Sequence, residues 1–170
     1  MTKPSVKPSD KPSLKPAYVY VTYIATTPDK AFGALVDVDL MRQWWVDPVA
    51  GCARVNVSDW KPGARWIHQR ADGSEVIDIV GKVVENTPPR RLVFTWARPS
   101  EEADASRHSR VTFDIEPYGD ALVRLTVTHD DLESDPQMLE GISGGWPKVL
   151  SNLKTFLETG RALPPSVLAG

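Results

Sequence analysis

Residues 18–36, YVYVTYIATTPDKAFGALV, determine how the fold begins. The first seven positions, 18–24, are filled almost entirely by β-branched and aromatic residues, which predicts a β-strand. Thr27 is suited to cap a helix and Pro28 to occupy its first position. The apolar residues after Pro28 recur at the spacing of one helix face. A strand followed directly by a short helix is therefore predicted.

The middle of the chain is predicted to form most of a sheet. A second short helix from Leu40 to Trp45 comes first. Between residues 53 and 127, apolar and polar residues then alternate in short runs that are separated by turn residues such as Gly63 and Gly119. Consecutive strands joined by short turns are typical of an antiparallel sheet. We expect six to seven strands in total.

The C-terminal part is predicted to be helical. Asp135 is suited to cap a first turn or two, which Gly144-Gly145 then interrupt. From Trp146 onward the apolar residues follow a three- and four-residue spacing, which gives one broad apolar stripe. Gly160 ends this long helix in the manner that glycine favours.

Length and composition indicate one globular domain. The chain has 170 residues, of which 41% are hydrophobic and 25% charged. The Lys-Pro-Ser repeats of residues 1–16 predict a disordered tail, residues 17–160 the folded domain, and residues 161–170 a flexible C-terminal tail. The single cysteine, Cys52, excludes an internal disulfide and favours a reducing compartment, so we expect a cytoplasmic protein.

Charge and hydropathy exclude two classes of partner. The net charge is −2 although the first sixteen residues are basic, so the folded part is more acidic than the whole. An acidic body is a poor partner for nucleic acid and for anionic membranes. No stretch approaches the roughly 18 apolar residues that a membrane span needs.

A strongly twisted sheet that is closed by a single long helix is expected to leave a hollow, because one helix cannot fill the concave side. Large aromatic residues fall on the strands and on the helix stripe that face this hollow. An apolar concave site of this kind suits a small ligand. The alternative is a packed core in which the same side chains only fill space. The predicted wall consists of Trp44, Trp45, Trp66, His68, Phe94, Trp96, Phe113, Trp146 and Leu150.

The histidines are the candidates for catalysis. His68 shares a strand face with Trp66, and Asp78 on the next strand is suited to orient it as a general base. Two interpretations are favoured over catalysis, namely His68 as a polar anchor for a ligand and His68 as a structural residue. His108 is expected to be solvated in a polar loop, and His129 to lie at the surface. The sequence has no motif for a metal or a cofactor, and an enzyme is the less favoured hypothesis.

Five motifs in order carry a resemblance to a known family. They are residues 23–35, Trp44-Trp45, residues 60–63, residues 88–96, and Gly145-Trp146-Pro147 with Leu150 and Leu153. With these motifs the chain resembles bacterial proteins similar to the activator of heat-shock protein 90 ATPase, within the START-like (SRPBCC) helix-grip superfamily. The resemblance implies an α+β fold in which the curved antiparallel sheet wraps around a long C-terminal helix, with two short helices after the first strand.

Three hypotheses for the function follow from the residues and the resemblance. The first is non-catalytic binding of a small apolar or lipid-like ligand in an internal cavity. The second is a protein-interaction or stress-accessory module related to chaperone ATPase activators, with a homodimer left open. The third is a cyclase- or hydrolase-like enzyme that uses His68.

Overall fold

The structure, a computed structural model, describes residues 15–47 and 51–164. The chain forms three α-helices, eight strands and two short 3-10 turns within these ranges. In chain order they are β1 (Tyr18–Ile24), α1 (Pro28–Val36), α2 (Val38–Trp44), β2 (Val46–Asp47), β3 (Cys52–Val57), β4 (Arg65–Arg70), β5 (Ile77–Thr87), β6 (Arg91–Trp96), turns at Pro99–Glu101 and Ala105–Arg107, β7 (Ser109–Tyr118), β8 (Leu122–Asp130) and α3 (Pro136–Thr159).

The strands form one antiparallel sheet in the order β1-β8-β7-β6-β5-β4-β3-β2. Seven strands have six or more residues, and β2 adds a two-residue strand at one end. The sheet curls around α3, which packs against β1 and against both short helices. The predicted fold class, an α+β helix-grip domain, is confirmed.

The caps of the two short helices follow from their sequence. The Thr27 hydroxyl accepts a hydrogen bond from the backbone N–H of Lys30 (3.4 Å), and Pro28 begins α1. The Asp37 carboxylate accepts one from the N–H of Leu40 (2.9 Å) at the start of α2. These side chains satisfy backbone donors that have no partner inside the first helical turn.

Helix α3 is continuous, and the predicted interruption at residues 144–145 is wrong. Two glycines cost about 1 kcal/mol each relative to alanine, and Pro147 removes one helical hydrogen bond. Burial of a large apolar side chain contributes roughly 1.5–3 kcal/mol, and α3 buries four of them, so packing outweighs the local preference. The four are Ile142, Trp146, Leu150 and Leu153.

Beside Trp66, the backbone of β5 at Gly81 lies very close to the Thr95 carbonyl group of β6. Gly81 on β5 is opposite Trp66 on β4, and the Trp66 indole N–H donates to the Thr95 carbonyl oxygen (2.8 Å) across it. A Cβ atom at position 81 would lie 1.9 Å from the Thr95 oxygen and 2.4 Å from Trp66 Nε1. Only glycine fits this position.

The two predicted tails lie mostly outside the described residues, namely at residues 1–14 and 165–170. At the C-terminal end, the Leu163 N–H donates to Asn152 Oδ1 (2.7 Å), so the chain turns back along α3 after Gly160. The domain limits of 17 and 160 stay predictions. In the described ranges, no helix is both long enough and apolar enough to span a membrane.

Candidate functional site: a two-chamber cleft between the sheet and helix α3

A cleft opens between the β3–β4 end of the sheet and the middle of α3. It has two chambers, both open to the surface. The outer chamber, of about 280 Å³, lies toward β2 and β3 at the end of the sheet, and the inner chamber, of about 210 Å³, lies toward β6, nearer the middle of the sheet. Trp45, His68, Gly145 and Val149 line both chambers, which makes them two parts of one site. The outer chamber adds Trp44, Val46, Arg54, Gly144, Lys148 and Asn152, and the inner chamber adds Trp96, Gly141, Ile142 and Trp146.

Helix α3 leaves this space because three of its cleft-lining positions are glycine. A Cβ atom added at Gly141, Gly144 or Gly145 would meet no atom within 4 Å. Residues four apart lie on the same helix face, so Gly141 and Gly145 stack one turn above the other. The three glycines therefore leave open space beside α3 where it lines the cleft.

Four aromatic rings that line the inner chamber contact one another in a closed circuit, which we call the girdle. Trp45 lies 4.8 Å from His68 between ring centroids, and His68 lies 6.2 Å from Trp96. Trp96 lies 5.8 Å from Trp146, which lies 6.4 Å from Trp45. Each adjacent pair is tilted, so the girdle presents both ring faces and ring edges.

The predicted wall divides into two groups. Trp44 and the four girdle residues line the cleft. The four tryptophans among them also belong to the packed core, whereas Trp66, Phe94, Phe113 and Leu150 lie in that core and line neither chamber. Trp66 is 4.5 Å from Phe94, and Phe94 is 5.9 Å from Phe113, between ring centroids. The concave side is thus filled over β6 and β7, and the open space lies toward β3 and β4.

The inner face of β3 and β4 is polar. Arg54, Asn56 and His68 are all buried. His68 Nδ1 lies 2.7 Å from Asn56 Oδ1. A carbonyl oxygen only accepts, so the proton of a neutral His68 ring is on Nδ1. Asn56 therefore fixes both the tautomer and the orientation of the ring.

The structure places Asp78, the residue predicted to orient His68, beside two arginines. Asp78 forms ion pairs with Arg54 and, at 3.7 Å, with Arg70. A bulge explains the difference: His68 is opposite Ile79 and Gln69 is opposite Ile77, which leaves Asp78 as the extra residue of β5. Regular alternation, on which the prediction depended, does not hold at this point.

His129 lies in the core, and its predicted surface position is wrong. Its Nδ1 accepts a hydrogen bond from Trp146 Nε1 (3.2 Å), and its Nε2 donates to Ser109 Oγ (2.8 Å). Ser109 in turn donates to the Trp96 carbonyl oxygen (3.1 Å). Burial lowers the pKa of His129 to about 4, so the ring is neutral at pH 7. This chain of hydrogen bonds therefore connects two girdle residues, Trp146 through its indole N–H and Trp96 through its backbone carbonyl.

His108 is half-buried and held by hydrogen bonds, which corrects the expectation of a solvated side chain. Its Nδ1 lies 3.3 Å from Thr95 Oγ1, and its Nε2 lies 3.1 Å from the Glu102 carbonyl oxygen. Arg65 also binds the Glu102 carboxylate, with Nη2 at 2.9 Å from Oε2. The polar loop before β7 is therefore attached to β4 and β6.

Sequence reasoning missed Asn152. It is fully buried, lines the outer chamber and donates from Nδ2 to the Trp44 carbonyl oxygen. The signal was present, because Asn152 follows Gly145 and Val149 at the spacing of one helix face. A polar residue within an apolar stripe indicates either a structural hydrogen bond or a site.

A curved antiparallel sheet that grips a C-terminal helix, with a cleft at one end, defines a helix-grip domain. The sequence model of the family described as "Activator of Hsp90 ATPase homolog 1-like protein" matches residues 25–158. The chain belongs to this family, which confirms the resemblance found in the sequence. Among curated proteins, no sequence matches this chain significantly.

Solved structures share the fold at low sequence identity. The Aha1 dimer from Colwellia psychrerythraea has 18% identity and a TM-score of 0.66, over 86% of this chain and 98% of that one. An HSP90 activator from Plasmodium falciparum has 20% identity and a TM-score of 0.63, over 83% and 95%. CalU16 from Micromonospora echinospora has 19% identity and a TM-score of 0.63, over 85% and 77%. At these identities the likeness concerns the fold alone.

Proposed function

We propose that this protein is a cytoplasmic binding protein for a small apolar or lipid-like molecule, which it holds in the two-chamber cleft without converting it chemically. One observation carries the proposal: α3 presents glycines where side chains would otherwise close the space in front of the aromatic girdle. A cavity of about 150 Å³ is enough to hold benzene, and both chambers exceed this volume, so either has room for a small ring or chain.

The polar groups of the cleft favour orientation of a ligand over catalysis. Ligand sites combine an apolar lining with a few placed polar groups. His68 has its Nδ1 on the Asn56 amide rather than on a carboxylate, and Asp78 is engaged by two arginines. Asp78, which the enzyme hypothesis assigns to orient His68, is thus held by arginines, and we assign His68 the role of a polar anchor for the ligand.

Replacing Gly145 by leucine is expected to separate stability from binding. The side chain would fill the cleft, so the affinity for naphthalene or dodecanol should fall at least tenfold. The free protein should be up to about 1 kcal/mol more stable, because a mid-helix glycine is removed. Calorimetric titration measures the affinity, and thermal unfolding measures the stability together with the rise in melting temperature that a bound ligand causes.

Gly33→Leu is the matched control for Gly145→Leu. Gly33 is also helical, an added Cβ there meets no atom within 4 Å, and it lies in α1 away from the cleft. The Gly33→Leu substitution should leave the affinity for naphthalene and dodecanol unchanged. Equal affinities of Gly145→Leu and the parent protein would contradict the cleft as the site, and no binding of either probe would contradict the proposed function.

A second candidate function, assembly with another copy of the chain, rests on strand β1. This strand ends the sheet, and its outer face exposes Val19 (57%), Val21 (40%) and Tyr23 (41%). Tyr23 packs edge-on against the exposed Tyr118 at 4.9 Å. An apolar terminal strand is a template for pairing with another strand. The similar structure from Colwellia psychrerythraea is described as a dimer, which supports a second copy as the partner.

If β1 joins two copies, Val21→Lys is expected to convert the dimer to a monomer, because it places a charge in the centre of the contact. Light scattering after size-exclusion chromatography measures the mass. Val84→Lys is the control, since Val84 is an equally exposed valine on β5. A monomeric parent protein at high micromolar concentration would rule out this assembly.

A further inference from the structure

We infer that the ligand of the cleft is an amphiphile with one carboxylate, which lies in the outer chamber while the apolar part of the molecule lies in the inner chamber. The inference rests on the proposed function and specifies the chemical class of its ligand. It depends on how the charged and the apolar side chains are divided between the two chambers.

Helix α3 presents a different row of residues to each chamber. Residues four apart lie on the same helix face, so they form rows along the helix. One row contains a lysine and an asparagine and lines the outer chamber only, and the adjacent row is apolar and lines the inner chamber. The rows are Gly144, Lys148 and Asn152 for the outer chamber, and Gly141, Gly145 and Val149 for the inner chamber.

The sheet side of the cleft repeats this division. Arg54 on β3 lines only the outer chamber, whereas Trp96 on β6 lines only the inner chamber. Among the side chains that the structure describes in the lining, the permanently charged ones are Arg54 and Lys148, and both line the outer chamber. An anionic group therefore meets positive charge at one end of the cleft.

A second arginine adds to the positive charge beside the outer chamber. Arg54 is directly opposite Arg70 in the pairing of β3 with β4, and Asp78 forms ion pairs with both. One carboxylate carries one negative charge, so Asp78 offsets one of the two guanidinium charges. Like charges in opposite positions of a sheet are destabilising, and a ligand carboxylate nearby reduces that repulsion.

The direct contact with the carboxylate is assigned to Lys148. Its side chain is exposed on α3 and lines the outer chamber. An ammonium group has three N–H donors, so it can bind a ligand oxygen together with a partner in the protein. Hydrogen bonds between a cation and a carboxylate are roughly twice as strong as those between neutral groups. Arg54, which is buried, contributes its charge from the wall.

The inner chamber suits the apolar part of the ligand. Its described lining consists of the girdle, Ile142, Val149 and two glycines. A carboxylate that left water for this lining would lose its hydration, whereas the outer chamber offers it cations. Trp45, His68, Gly145 and Val149 line both chambers, so one molecule can extend from one chamber into the other.

Three probes with the same number of carbon atoms and different head groups test the inference: decanoate, decanol and decylammonium. If apolar contact alone decided the affinity, neutral decanol would bind best, because a charged head group is costlier to desolvate. We expect decanoate to bind about tenfold more tightly than decanol by calorimetry at pH 7 and low salt, and decylammonium to bind most weakly. The preference for decanoate should shrink in high salt, because the Debye length falls from about 30 Å at 0.01 M to about 3 Å at 1 M.

Lys148→Gln should lower the affinity for decanoate about fivefold and that for decanol less, because it removes the charge of an exposed side chain. Lys154→Gln is the matched control. Lys154 lies on the same helix, donates to the Tyr23 carbonyl oxygen (2.6 Å) and lines neither chamber. This control variant should bind all three probes as the parent protein does.

Equal affinities for decanoate and decanol would overturn the inference and leave the proposed function intact. A preference for decanoate that persists in Lys148→Gln and in high salt would also overturn it, because the head group would then lie elsewhere. If none of the three probes binds, the inference and the proposed function both fail.

Discussion

Replacing Gly81 by alanine is expected to lower the free energy of unfolding by about 3 kcal/mol. The added methyl carbon would overlap the Thr95 carbonyl oxygen, at 1.9 Å, and the Trp66 indole nitrogen, at 2.4 Å. Both obstacles are held in place, since the two atoms share a hydrogen bond and Trp66 is fully buried. Chemical denaturation measures the effect as a lower midpoint with an unchanged slope.

Gly33→Ala provides the control for the Gly81 variant. The same methyl group added at Gly33 in α1 meets no atom within 4 Å, so it should stabilise the protein by up to about 1 kcal/mol through helix propensity. A Gly81→Ala protein as stable as the parent would mean that β5 and β6 relax apart. In that case the two strands would have to move apart at Gly81 while the contact between the Trp66 and Trp96 rings is kept.

The sequence predicted the fold well where local signals agreed with one another. The cap at Thr27, the alternation in β7 and β8 and the apolar stripe of α3 all indicate elements that the structure contains. The sequence failed at Gly144-Gly145, where local preference indicates a break. The helix continues through these glycines because Trp146 and its neighbours on α3 are buried against the sheet. This burial depends on residues far away in the chain, so the local sequence does not indicate it.

The candidate site was only partly predictable for a similar reason. Aromatic residues on the inner face were identified, but a sequence does not show which part of a concave face is filled and which part stays open. Gly141 and Gly145 leave open space in the cleft because they have no side chains. Candidate site residues are usually chosen for their functional groups, so glycines are overlooked. The bulge beside His68 likewise depends on the pairing of β4 with β5 and has no local signature.

His129 shows the opposite case, in which the signal was available. Val123, Leu125 and Val127 alternate on one face of β8, and His129 continues that series to a fourth buried position. The two aspartates that follow it favoured a surface interpretation. Strand periodicity is the stronger guide, because each residue of a regular strand is constrained by the pleat.

The free energy of unfolding is expected to fall by about 3 kcal/mol as the pH is lowered from 6.5 to 4, because of His129. Burial lowers its pKa from 6.5 to about 4 in the folded protein. Between these values the unfolded chain binds a proton that the folded protein does not, so acid favours unfolding. Protonation of Nδ1 would also oppose two donors, since Trp146 Nε1 already donates to that atom.

Denaturation curves recorded between pH 7 and pH 4 on the parent protein and on His129→Gln isolate this contribution. At pH 7 the variant should be less stable than the parent protein, because the substitution leaves a gap in the core and changes the hydrogen bonds of Ser109 and Trp146. Between pH 7 and pH 4 the stability of the variant should depend less on pH. Carboxylates such as Glu102, whose pKa a hydrogen bond from Arg65 holds below the ordinary value of 4.5, lose their contribution mainly at lower pH. The same slope in both proteins would show that His129 is not the group that titrates.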